Sequence, residues 1–165
     1  LPIFVVVLLP LIPEFEELSQ AEIELMHKAP ILVCILIAGA DDHIDNREIK
    51  KALLLTEKKQ KRAKSHLLDF YREVGEDFED KLKIVIQGFP AEEESRTPLL
   101  KESLSNLNPI LKKVDQYFAK EFYKSLLEIA TEIAKSSGGL LGLNSVGDEE
   151  AKHMNLSMLK DPAKY

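Results

Sequence analysis

Hydrophobic side chains recur along most of this sequence at steps of three and four, the spacing that lines one face of an α-helix. The longest such run is Leu111, Val114, Phe118, Phe122, Leu126, Ala130 and Ile133, and from Pro109 onward it predicts a helix of about seven turns. Ser136-Ser137-Gly138-Gly139 should end it. Ahead of it, Leu100, Leu104 and Leu107 mark a helix that opens at Thr97-Pro98, a capping residue followed by proline at the first helical position. Asn108-Pro109 repeats that device. Phe78 to Gln87 reads as a shorter helix with Leu82, Val85 and Ile86 inward, and Phe89 to Arg96 as a loop. Ile49, Leu53, Ala63, Leu67, Phe70, Tyr71 and Val74 form a further stripe, which fails across Glu57 to Arg62. A bulge or a break is expected there. A last helix carries Ala151, Met154, Met158 and Leu159 before Pro162.

Nearer the start, Ser19-Gln20-Ala21-Glu22 has the form of a capping box, in which a serine and a glutamate each satisfy a free backbone N–H of the other. Ile23, Met26 and His27 follow at helical spacing, and Pro30 should kink the helix or restart it. Residues 31–40 are apolar on every side, which fits a buried strand or an enclosed helix. The helix is the better reading, because no second convincing strand exists to pair with. Leu1 to Ile12 is apolar and broken by Pro2 and Pro10; it is too short to span a bilayer as a helix. It reads as an arm seated in an apolar groove of this domain or of a second copy, with membrane contact the lesser reading. Pro13 to Leu18 reads as acidic linker. The expectation is therefore an arm over 1–18 and one domain over 19–165, all-α, a compact array of about seven helices.

Composition narrows what such a domain does. With 165 residues and 45% hydrophobic content the chain supports one core. A formal charge of −6 argues against a general nucleic-acid binder. The single cysteine, Cys34, excludes an internal disulfide and fits a reducing, cytoplasmic setting; its apolar neighbours favour a buried structural thiol. Lys58, Lys59, Lys61, Arg62 and Lys64 read as a solvated helix face. His27, His43, His66 and His153 lack the spacing of a zinc site. No nucleophile elbow or oxyanion motif organises the serines, histidines and acids, so no enzyme is expected.

One cluster carries candidate chemistry: Asp41-Asp42-His43-Ile44-Asp45-Asn46-Arg47-Glu48, between the most hydrophobic helix and an amphipathic one. Carboxylates crowded on a short turn repel one another, and a hard cation such as Ca²⁺ or Mg²⁺ relieves that repulsion through oxygen ligands. From spacing alone the stronger reading is that helix capping accounts for Asp45 and Glu48 and ordinary loop solvation for Asp42. The spacing is not that of an EF-hand, which needs a longer loop with a central glycine. Val146-Gly147-Asp148-Glu149-Glu150 echoes Ile44-Asp45-Asn46-Arg47-Glu48, each lying between a hydrophobic helix and an amphipathic one. Two such helix–acidic-turn–helix units suggest a pseudo-twofold arrangement with the turns facing each other. The candidate ligands are then Asp41, Asp45, Glu48, Asp148 and Glu150.

Two stretches carry a resemblance to a known family. Ala38-Gly39-Ala40-Asp41-Asp42-His43-Ile44-Asp45-Asn46-Arg47-Glu48 resembles the first signature of the TerB-like (tellurite-resistance) proteins, an Ala-Asp-Gly followed by a hydrophobic residue and a glutamate. Ile133-Ala134-Lys135-Ser136-Ser137-Gly138-Gly139 and the residues up to Glu150 are similar to that family's second helix-loop-helix signature. The resemblance spans roughly residues 20–160, with the middle matching in helicity alone. Asp41 and Glu48 match the first motif and Glu150 the acidic end of the second. Asp42 stands where the family has glycine, and Ser137 or Gly138 where it has aspartate. The resemblance implies an all-helical fold and a non-enzymatic, metal-chelating role in stress response. The competing reading is a helical module that binds another protein, or itself, without a metal.

Overall fold

The computed structural model describes residues 12–39, 46–62, 65–138 and 153–165, with backbone alone at 62 and 136–138. The helices are α1 (Gln20–Ala38), α2 (Asn46–Lys59), α3 (Leu67–Gly75), α4 (Phe78–Gln87), α5 (Glu93–Ser105), α6 (Leu107–Leu111) and α7 (Gln116–Gly138). Short 3₁₀ turns stand at Pro13–Phe15, Gln60–Arg62 and Pro162–Lys164. Among the described residues there is no strand, and the all-α class holds.

α1 is the axis of the molecule and packs on each of the other six helices. Its start is the expected capping box: Ser19 Oγ accepts from the Glu22 N–H at 3.2 Å, and Glu22 Oε1 accepts from the Ser19 N–H at 3.0 Å. Pro30 neither ends nor restarts the helix, which runs unbroken from Gln20 to Ala38. A proline forfeits one ladder bond. Here that loss is offset by burial, since every residue from Ala29 to Ala38 is buried. The run 31–38 is thus an enclosed helix.

α7 makes the most extensive helix–helix contact, with α1, and also packs on α2 and α3. All seven residues of the predicted stripe from Leu111 to Ile133 are buried. The helix itself is broken between Leu111 and Gln116, where Asp115 Oδ2 accepts from the Phe118 N–H at 3.1 Å and starts α7 anew. The stripe at Glu57 to Arg62 also breaks, with α2 ending at Lys59 in a 3₁₀ turn.

Three segments differ from their sequence pattern. Residues 13–18, expected as linker, send two side chains into the core: Phe15 and Leu18 are buried, as is Ile12 before them, and the Phe15 ring meets Phe70 and Phe118 edge-on at 5.9 and 5.4 Å. α5 begins at Glu93 rather than Thr97, and Pro98 lies inside it, because Arg96 is drawn into the core and fixes the first turn. The described part of the expected last helix, 153–159, forms turns instead, with Leu156 at a left-handed φ of 47° that a continuing helix would not hold. Asn108, predicted as a cap, sits inside α6 and clamps this tail. Its amide donates to the Met158 carbonyl, and its carbonyl accepts from the Lys160 N–H, both at 2.9 Å.

Candidate functional site

Of the five candidate ligands, Glu48 alone lies among the described residues, in the first turn of α2 and partly exposed. Asp41, Asp45, Asp148 and Glu150 lie outside them, as does the expected approach of the two acidic turns. Among the described residues, no three His, Cys, Asp or Glu side chains come together in a metal-holding group.

What the structure defines is the chain on either side of residues 40–45. On its N-terminal side, the Arg96 side chain, 6% exposed, reaches from α5 to the end of α1. Its Nη2 donates to the Gly39 carbonyl at 2.9 Å and its Nη1 to the Ala91 carbonyl at 2.8 Å. The guanidinium answers the unpaired carbonyls and negative dipole end of α1. Gly39 leaves room for this approach: a Cβ there would stand 2.7 Å from Arg96 Nη2, and the guanidinium would have to shift. On the C-terminal side, Ile49 is fully buried in the first turn of α2. Sequence reasoning placed Arg96 in a loop and missed it; an arginine in an otherwise acidic stretch, Glu92 to Glu94, was the available signal.

A second feature is an open groove of about 560 Å³ between α1 and α4, closed at one end by the last turn of α3. Its apolar wall includes Ile23, Ile31, Val74, Ile84 and Val85. His27, in that wall, donates from Nδ1 to the Ile23 carbonyl at 3.0 Å and places Nε2 2.6 Å from Glu73 Oε2. Both ring nitrogens are therefore engaged, and the ring packs against Phe15 and Phe70 with centroids 5.9 and 5.1 Å away. The pair ties α1 to α3. Lys81 Nζ donates to the Glu73 carbonyl at 2.7 Å and adds α4 to the same knot.

The remaining candidates resolve into structural roles. Cys34 is wholly buried, and burial pushes its thiol far above the ordinary range, so it is no nucleophile near neutral pH. Burial likewise raises Tyr71, whose hydroxyl lies 2.6 Å from Ser125 Oγ. In the basic helix region, Lys59 pairs with Glu132 at 3.5 Å and Glu57 with Arg72 at 3.7 Å. Among the described residues no helix is long and apolar enough to cross a membrane. Comparison of the chain with protein-family models, with curated proteins and with solved structures returns no match.

Proposed function

We propose that this chain is a non-enzymatic, TerB-like helical module that binds a divalent cation, Ca²⁺ or Mg²⁺, at the acidic turn between α1 and α2, in a cytoplasmic stress-response setting. The observation that supports the reading is the anchoring on both sides of that turn. Gly39 is held by the buried Arg96, and Ile49 is sunk in the core. Asp41, Asp42 and Asp45 thus lie on a connection of residues 40–45 whose two ends folding has fixed, with Glu48 just beyond it. Repulsion among the carboxylates is the driving force for taking up a cation. In this reading Asp41, Asp45 and Glu48 supply oxygens, and Asp148 and Glu150 complete the set from the second turn.

A ligand that binds only the folded state raises stability by mass action, about 2.7 kcal/mol at a hundredfold excess over Kd. A thermal-shift series with Ca²⁺, Mg²⁺, Mn²⁺ and Zn²⁺ should therefore show Tm climbing with Ca²⁺ or Mg²⁺, and the climb should vanish in Asp41→Asn/Asp45→Asn. A Tm that no divalent cation moves would defeat the reading.

A further inference from the structure

We draw no further inference here: the strongest candidate, the apolar groove between α1 and α4 with Ile84 exposed beside it, carries none, because nothing in the structure shows what covers it.

Discussion

The last ten residues of α1, Ala29 to Ala38, and the ten residues of α4 are helical segments of equal length with opposite fates. The first has no exposed residue, while the second buries only Phe78 and Leu82 and leaves Ile84 in water. The cause is the pattern of side chains. A helix apolar all round has no face to give to solvent and must be enclosed, whereas a one-sided helix needs a single neighbour. Enclosure makes the α1 segment the source of stability. Partial cover makes α4 an edge, and an edge with an isoleucine on it is a surface available for contact.

Truncating one isoleucine in each region should give the largest difference. Ile35→Ala should cost roughly 2–5 kcal/mol, the usual range for a large-to-small change in a core. Ile84→Ala should cost less than about 0.5 kcal/mol, as expected of a surface change. Chemical denaturation of both variants measures the two losses, and similar values would erase the distinction.

A smaller effect is expected at the end of the enclosed segment. Arg96→Gln withdraws a buried, charged donor from the Gly39 and Ala91 carbonyls, and an unsatisfied buried polar group costs about 1–3 kcal/mol. Gly39→Ala should reproduce part of that loss by displacing the guanidinium, whose Nη2 would lie 2.7 Å from the new Cβ. Equilibrium unfolding should place both variants between Ile84→Ala and Ile35→Ala.

The smallest effect is electrostatic. Glu14 Oε1 accepts from His66 Nδ1 at 2.7 Å, linking the turn that carries Phe15 to the start of α3. That bond raises His66 above its ordinary value of 6.5. A raised folded-state value stabilises the fold fully below 6.5, and the benefit fades as pH climbs through the raised value. Tm against pH should therefore show the gap between wild type and Glu14→Gln closing as pH rises from 6.5 upward. A gap that widens with pH would assign the bond the wrong sign.

The elements that sequence disclosed are those fixed by local chemistry. Ser19 and Glu22 make their capping box from neighbouring residues, and the stripe from Leu111 to Ile133 is buried at every position. What it concealed depends on distant partners. α5 starts early because Arg96 finds the Gly39 carbonyl 57 positions away, and Asn108 serves the tail rather than its own helix. Pro30 is tolerated because the surrounding core outweighs one missing bond. Phe15 escaped notice because an aromatic residue among acids, Glu14, Glu16 and Glu17, reads as linker until the rings of Phe70 and Phe118 are seen around it. The acidic turn was legible as a cluster, but the anchors that flank it were not.

The proposed uptake of a cation at this turn is tested by titrating Ca²⁺ and Mg²⁺ into the isotopically labelled full chain and following backbone amides by NMR. Saturable shifts are expected, centred on residues 39–49 and 148–150, absent in Asp41→Asn/Asp45→Asn, with the groove residues around Ile84 unmoved. No shift, or shifts scattered evenly over surface carboxylates and unaffected by the double substitution, would contradict it.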